Sequence, residues 1–270
     1  MDSDLVLHKT PKVSHGPLVI GLSGWGDAGN VSTICVTYLI EKLGAEEIGE
    51  IVSGRFYDYQ IRRPQVRIEG GLVREYIPPR NKFFYWKAST TNQDVLILRG
   101  AEPYVDWPGY AQAVLEAAER TNVKKIIMIG AFVGSVPHTV EPVLSISTRS
   151  KSFLEEISSF GFELSNYEGP TGIYSEILEL SNERGIDAVS LWGAVPPYIQ
   201  GDNHKLAFHV LKKILSIAGI DVPLDELRKK GEDLDRQIAE EARFNPELRR
   251  LISSLELEYR TMHRFPSYTV

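Results

Sequence analysis

The chain has 270 residues, with 30 basic and 36 acidic side chains and a formal net charge of −6. Its single cysteine excludes a disulfide framework, and also a zinc ribbon or iron–sulfur centre built from its own thiols. The acidic balance disfavours nucleic-acid binding over the whole surface. No apolar run approaches the roughly 18–20 residues that cross a bilayer. We therefore expect a cytoplasmic protein whose partners include neither nucleic acid nor a membrane.

Up to about residue 222, short apolar segments alternate with segments of helical periodicity. The predicted strands lie at residues 18–23, 48–53, 94–98, 125–129 and 186–192. The predicted helices lie at residues 31–43, 110–120, 151–160, 173–184 and 204–217. Continuous apolar strands between amphipathic helices are typical of a mainly parallel sheet that is covered on both faces. We predict a three-layer α/β domain over residues 1–222.

Residues 54–87 lack helical periodicity and are rich in aromatic and β-branched side chains. The turn at residues 69–71 separates two strand-like segments, which predicts a β-hairpin or meander inserted in the main sheet or added to its edge. Residues 55–87 carry eight basic and three acidic side chains with eight aromatic rings among them. Such a mixture is typical of protein interfaces and of surfaces that stack single-stranded nucleic acid, and a merely solvated pair of strands is the third alternative. The acidity of the whole chain favours a protein partner.

The segment from residue 224 has apolar residues that step by three and four. Asn245 and Pro246 then supply an N-cap and a proline at the first helical position. The pattern predicts a C-terminal helical hairpin and tail over residues 223–270. Residues 224–264 hold ten acidic and nine basic side chains. Two alternatives stay open for this hairpin, packing on the α/β domain and a surface for an oligomer or partner.

The most motif-like segment follows the first predicted strand and reads GLSGWGDAGN over residues 21–30. Gly24, Gly26 and Gly29 fit the G-x-G-x-x-G dinucleotide fingerprint. However, Trp25 places a large ring where the backbone would approach a pyrophosphate. Asp27 adds negative charge at the helix N-terminus that would hold that group. The pattern favours a structural turn in which Asp27 caps the helix, with nucleotide binding as the alternative.

The sequence predicts no catalytic residue, metal site or cofactor. It contains no G-x-S-x-G elbow, and Cys35 lies among apolar residues of the first predicted helix, which indicates a core position. The six histidines are scattered, and the spacing of His204 and His209 places them on different faces of a helix.

Three loops that contain proline lie between predicted elements, at residues 134–139, 167–172 and 193–198. Loops at the carboxyl ends of parallel strands converge on the usual ligand crevice of such a sheet. Together with the glycine-rich turn, they predict one rim that binds a partner or a small molecule, and the alternative of a vestigial pocket or of simply rigid loops stays open. The candidate rim residues are Gly24, Trp25, Asp27, Gly29, His138, Thr139, Glu168, Thr171 and Tyr198.

Four segments, taken in order, resemble the proteasome assembly chaperone 2 family in its archaeal and bacterial branch. They are GLSGWGDAGN at 21–30, GSVPHT at 134–139, YEGPTGI at 167–173 and SLWGAVPPYI at 190–199. The resemblance covers about residues 16–260. It implies a phosphorylase/hydrolase-like α/β sandwich, no enzymatic activity, proteasome subunits as partners and homo-oligomers among prokaryotic members.

The resemblance also implies a docking tail, because some prokaryotic relatives end in a hydrophobic residue, Tyr and any residue. The candidate tail here is Tyr268, Thr269 and Val270, with the tyrosine third from the end rather than second. We expect a non-enzymatic assembly chaperone or adaptor that binds proteasome-type subunits as a homo-oligomer. The alternative is a nucleotide- or small-molecule-binding enzyme that uses the turn at 24–29 and the rim of proline loops.

Overall fold

The structure is a computed structural model, and it describes residues 4–52, 54–89 and 93–264. The strands described there are β1 (Leu5–Leu7), β2 (Leu18–Ser23), β3 (Glu46–Ile51), β4 (Gln65–Glu69), β5 (Leu72–Ile77), β6 (Asn81–Trp86), β7 (Val95–Ala101), β8 (Lys125–Val133), β9 (Leu144–Thr148), β10 (Glu163–Leu164) and β11 (Asp187–Val195). The α-helices are α1 (Val31–Leu43), α2 (Trp107–Arg120), α3 (Lys151–Ile157), α4 (Ile173–Glu183), α5 (His204–Ala218), α6 (Asp225–Phe244) and α7 (Pro246–Arg264).

Nine of these strands form one sheet in the order β1-β3-β6-β7-β2-β8-β11-β9-β10. The four central strands, β7, β2, β8 and β11, run parallel to one another. The flanking strands pair antiparallel, apart from the parallel pair of β9 and β10. Four of the five predicted strands, those at 18–23, 94–98, 125–129 and 186–192, are the central parallel ones, which confirms the predicted α/β class. The fifth, at 48–53, is the flanking antiparallel strand β3.

The sheet separates two hydrophobic cores, because successive residues of a strand point to opposite faces. Leu18 and Ile20 of β2 pack with residues of α2 and α4 on one face. Val19 packs with residues of α1, α3 and α5 on the other face. The central strands are therefore buried on both sides, and the architecture has the three predicted layers.

Two predicted helix ends are formed as the sequence indicates. Gly44 follows α1 with a φ of 63°, a left-handed conformation that glycine adopts without strain. At the start of α7, the side-chain Oδ1 atom of Asn245 accepts hydrogen bonds from the backbone N–H groups of Glu247 and Leu248, both at 3.1 Å. The helix predicted at 151–160 ends as an α-helix at Ile157 and continues as one 3₁₀ turn.

The segment 54–87 divides into two parts. Strands β4 and β5 form a separate two-stranded sheet, whereas β6 lies within the main sheet between β3 and β7. We call residues 65–77 the hairpin. The predicted hairpin is present, but its predicted place in or at the edge of the main sheet is wrong, because β4 and β5 pair only with each other among the described strands. Only β6 is inserted in the main sheet. The strand predicted at 48–53 is shifted to Glu46–Ile51, and residue 53 lies outside the described residues.

Helices α6 and α7, which we call the helical pair, follow the sheet sandwich. Leu227 of α6 is buried in the core that also contains residues of α5. A Cβ atom added at Gly231 would lie 2.9 Å from the Lys205 Cα atom, so α5 and α6 approach closely there. The division of the chain at residue 222 stays a prediction. None of the described helices combines the length and the apolarity needed to cross a bilayer.

Candidate functional site

The parallel strands β2, β7, β8 and β11 all end at the same edge of the sheet, which we call the carboxyl edge. The glycine-rich turn, residues 102–106 and the proline loops at 134–139 and 196–198 follow these strands. Parallel topology therefore places three of the four predicted loop segments at one end of the sandwich. It also adds residues 102–106, which are not among the predicted rim residues.

Trp25 stands in the turn after β2 with 63 % of its side chain exposed. Its backbone N–H donates to the Glu102 Oε2 atom at 3.0 Å. Its ring meets the Trp192 ring edge-on, with centroids 6.4 Å apart. Gly26 permits this approach, because a Cβ atom there would lie 3.0 Å from the Trp192 ring. The turn thus holds a large aromatic ring in solvent in a fixed position.

Glu102 joins the turn to the start of helix α4. Its Oε1 atom accepts a hydrogen bond from the backbone N–H of Ile173 at 3.2 Å, while its Oε2 atom binds Trp25. A carboxylate at a helix N-terminus is favourable because the helix dipole is positive there. The sequence carries one clue to this residue, an acidic side chain directly after a parallel strand.

Asp27 fills the N-terminus of α1, as the sequence predicts. Its Oδ1 atom accepts from the backbone N–H groups of Ser32 at 2.7 Å and Thr33 at 3.2 Å. Its Oδ2 atom accepts from the Thr33 hydroxyl at 2.6 Å. Burial raises the pKa of Asp27, and the hydrogen bonds from Thr33 and Ser32 oppose that rise. The N-termini of α1 and α4 at this edge are therefore each occupied by one of the protein's own carboxylates.

His138, Thr139 and Tyr198 form a second group with the helical pair. The His138 backbone N–H donates to the Tyr198 hydroxyl at 2.7 Å, and the His138 Nδ1 atom lies 2.7 Å from the same oxygen. Burial lowers the pKa of His138 and raises the pKa of Tyr198 to about 12. The Thr139 hydroxyl donates to the Glu256 carboxylate of α7 at 2.6 Å.

Lys205 completes this second group. Its ammonium donates to the His138 carbonyl oxygen and, at 2.8 Å, to the Asp235 Oδ2 atom of α6. We call His138, Thr139, Lys205, Asp235 and Glu256 the helix latch, because their bonds join the sandwich to both helices of the pair. A cavity of about 50 Å³ lies beside the latch. That volume holds a few waters and is far below the roughly 300 Å³ of small-molecule sites.

The remaining predicted rim residues have simpler surroundings. Gly29 has a φ of 61°, and its carbonyl accepts from the backbone N–H of Asn203 at 2.8 Å, which connects the turn to the start of α5. Glu168 is exposed, and the Thr171 hydroxyl pairs with that of Ser175. The predicted rim is therefore two groups, one around Trp25 and one at the latch. The tail residues 268–270 lie outside the described residues.

The two ends of the sheet differ in polarity. The carboxyl edge exposes large apolar side chains of Trp25, Tyr104, Val105, Phe132 and Val133. The opposite end has a polar cleft, which is lined by Lys12, Val13, Ser14, His15, Gly16, Gln93, Asn122, Lys124 and Lys125. Exposed apolar side chains grouped at one end mark interaction surfaces.

The hairpin is anchored at both ends to the carboxyl edge. Before the hairpin, the Arg62 Nη2 atom donates to the Ser23 hydroxyl at 2.7 Å. After it, the buried Asn81 accepts from the Ala101 backbone N–H at 2.9 Å. The local basic excess is largely neutralised by carboxylates from other segments. These ion pairs are Arg55 with Asp4 and Asp106, Arg80 with Glu50, and Lys82 with Glu47.

Fold and site together define a three-layer α/β sandwich with an apolar carboxyl edge, a hairpin that forms its own small sheet and a C-terminal helical pair. Carboxylates of the chain itself occupy the N-termini of α1 and α4. The profile of the PAC2 family matches residues 21–242. The chain therefore belongs to the PAC2 family, which includes proteasome-assembly chaperone homologues. No curated protein matches the chain in sequence.

Solved structures carry the same fold over most of the chain. A proteasome-assembly chaperone homologue of Mycobacterium tuberculosis is 30 % identical, with a TM-score of 0.80 over 87 % of this chain and 99 % of that one. A PAC2 family protein of Streptomyces avermitilis is 27 % identical, with a TM-score of 0.78 over 83 % and 95 %. A Mycobacterium tuberculosis protein of unknown function, 24 % identical, shares the fold with a TM-score of 0.86 over 98 % and 93 %.

Proposed function

We propose that the protein is a non-enzymatic assembly chaperone or adaptor of the cytoplasm that binds proteasome-type subunits as a homo-oligomer. The observation that carries this proposal is the apolar carboxyl edge, where Trp25 is exposed and held in place. The 30 % identical relative is a proteasome-assembly chaperone homologue, which supports the choice of partner. Neutralisation of the basic excess around the hairpin favours a protein surface over nucleic acid.

Trp25 is the side chain that we assign to gripping the subunit. Tryptophan is enriched among the residues that contribute most to protein interfaces. Glu102 fixes its backbone and Trp192 contacts its ring, so little conformational freedom is lost when a partner covers it. A chaperone must release the subunit once the final ring contacts form, and a compact apolar contact of moderate area suits such reversible binding. Residues 268–270 are proposed as a second contact.

The test compares two exposed aromatic residues in a binding assay with purified proteasome α-type subunits. Trp25→Ala should weaken binding at least about 30-fold, the loss expected for a hot-spot residue, with an unchanged melting temperature. Phe244→Ala, which removes an exposed ring at the end of α6, is the matched control and should bind normally. The proposal fails when the intact protein retains no subunit, or when both variants bind as tightly as the parent.

The enzyme alternative has less support from the site. Asp27 and Glu102 occupy the backbone N–H groups that would receive a phosphate at the N-termini of α1 and α4. We expect no rise in melting temperature with ATP, NAD(P) or nucleosides, since only a ligand that binds the folded state stabilises it. A reproducible rise that disappears in Gly26→Val would favour the alternative.

A further inference from the structure

The hairpin has an apolar face that neither core covers. Val66 lies opposite Tyr76 and Ile68 lies opposite Val73, and directly opposite residues share a face. Between 53 and 65 % of each of these four side chains is exposed. An isolated two-stranded hairpin is marginally stable in water, and additional strands or a packing surface stabilise it. The hairpin therefore has the features of a segment completed by another chain.

The charges of the hairpin cancel within it. Arg67 lies 3.3 Å from a Glu69 oxygen and 3.7 Å from a Glu75 oxygen, and Arg74 lies 3.8 Å from the other Glu69 oxygen. Two arginines and two glutamates leave residues 65–77 without net charge, although the whole chain carries −6. Two hairpins of different copies therefore meet without the electrostatic repulsion that acts between the remaining, net acidic parts of the two chains.

Strand edges differ in how well they accept another strand. The outer strands of the main sheet, β1 and β10, have only three and two residues, and short edge strands resist pairing. In the hairpin, β5 carries an extra residue at Arg74, because Arg67 pairs with Glu75 and Ile68 pairs with Val73. Such a bulge disrupts an edge. The five residues of β4 thus form the longest regular unpaired edge among the described strands.

We propose that two copies of this chain pair antiparallel through their β4 edges, about a two-fold axis at Ile68. This register places Arg67 of each copy opposite Glu69 of the other, and Val66 opposite Gly70. Symmetric registers centred on Arg67 or Glu69 would place like charges opposite each other, which is destabilising. The proposal deepens the homo-oligomeric part of the proposed function and rests on it, because it names the surface through which copies associate.

Pairing of this kind makes a four-stranded sheet from two marginal hairpins. A two-fold axis perpendicular to the sheet leaves the apolar faces of both hairpins on the same side of the four-stranded sheet. The apolar side chains of both copies then form one continuous surface. Three or more strands with an apolar face reach independent stability where two do not, so association itself stabilises the hairpin.

Cysteine cross-linking tests the register. The native Cys35 is fully buried, so an introduced surface cysteine is the accessible thiol. Ile68→Cys places two thiols across the axis, where opposite Cβ atoms are about 4.5–5.5 Å apart, close to disulfide geometry. Under mild oxidation it should run as a disulfide-linked dimer on non-reducing gels. Val73→Cys, on the same face but on β5, should stay monomeric. Equal linking of both variants, or of neither, overturns the proposal.

A charge exchange supplies the second test, read by light scattering against the 30.3 kDa monomer. Glu69→Arg should abolish the dimer by placing arginines opposite each other, and Arg67→Glu combined with Glu69→Arg should restore it. Glu75→Arg, which changes the same polar face on β5, should leave the dimer intact. A parent protein that scatters as a monomer refutes both this inference and the homo-oligomeric part of the proposed function. Cross-linked Ile68→Cys without subunit binding refutes only the chaperone part.

Discussion

The hairpin and the helical pair are both appended to the sheet sandwich, and they are held in opposite ways. The helical pair buries Leu227 in a core and is bonded to the sandwich through the helix latch. Among the described residues, the hairpin is fixed only at its base, and it exposes apolar residues along its length. In sequence, both segments mix charged and apolar residues, so composition alone does not reveal this difference. Whether a segment packs on the sandwich depends on where its apolar residues lie relative to the two cores.

The hairpin and the helical pair therefore have different roles. A segment whose apolar residues are covered contributes to the stability of the chain itself. A segment that leaves them exposed lowers the solubility of the free protein, and such patches mark contact surfaces. We therefore expect changes in the helical pair to alter unfolding and changes in the hairpin to alter association.

The largest expected effect comes from making one substitution in each region. Leu227→Ala removes a side chain that is 1 % exposed, so it should lower the free energy of unfolding by about 2–5 kcal/mol. Leu72→Ala in the hairpin, where 58 % of the side chain is exposed, should change it by less than about 0.5 kcal/mol. Urea unfolding of both variants measures the contrast. Similar losses would contradict the distinction between the two appendages.

A smaller effect is expected at the latch. Lys205→Met removes the donor to the His138 carbonyl and to Asp235, whose Oδ1 atom is buried with no hydrogen-bond partner among the described residues. Losing that donor should cost about 1–3 kcal/mol in urea unfolding. Adding Asp235→Leu should recover part of the loss, because no unpaired carboxylate remains. Arg74→Met on β5, away from the proposed β4 pairing edge, is the matched control and should unfold like the parent, since exposed ion pairs contribute little.

The smallest effect is a pH dependence that the latch imposes. Burial lowers the pKa of His138 below its ordinary value of 6.5, with Asp235, Lys205 and Glu256 as its charged neighbours. As the pH falls below 6.5, the unfolded chain binds a proton that the folded chain does not, so the free energy of unfolding decreases. Above pH 6.5, His138 contributes no pH dependence to the free energy of unfolding.

Melting temperatures between pH 5 and 7.5 measure this contribution. His138→Gln should reduce the slope without removing it, because burial also lowers the pKa of His204 and His209 on α5. His8→Gln, at an exposed position outside the helical pair, is the control and should retain the parent's slope. An unchanged slope in His138→Gln would show that the latch does not titrate with this residue.

Sequence patterns predicted the elements whose signals are local. The apolar strand Leu18–Ser23 and the helix Val31–Leu43 are found with the predicted bounds, because burial on both faces and a C-capping glycine act within a few residues. Strand β9 was not predicted, since LSIST mixes serine with single apolar residues. Its position depends on contacts with β11, such as the bond between the Ser147 and Ser190 hydroxyls.

The role of a site residue was predicted only where its hydrogen-bond partners lie in the same short segment of the chain. Asp27 caps a helix five residues away, so the sequence alone indicated its role. Glu102 was not predicted because its two backbone donors are 77 and 71 residues away in the chain. In the folded chain, carboxylates that are distant in sequence, among them Asp4 and Glu50, neutralise part of the positive charge of residues 55–87. Only the strand order brings these groups together.

The carboxylates of Asp27 and Glu102 have a consequence for protein engineering. Each one behaves as a built-in mimic of the phosphate that related α/β architectures bind at helix N-termini. The backbone donors of α1 and α4 are present and correctly oriented, but internal groups occupy them. An anion-binding design on this scaffold would therefore begin by clearing space, with Asp27→Ser and Glu102→Gln, rather than by adding basic residues.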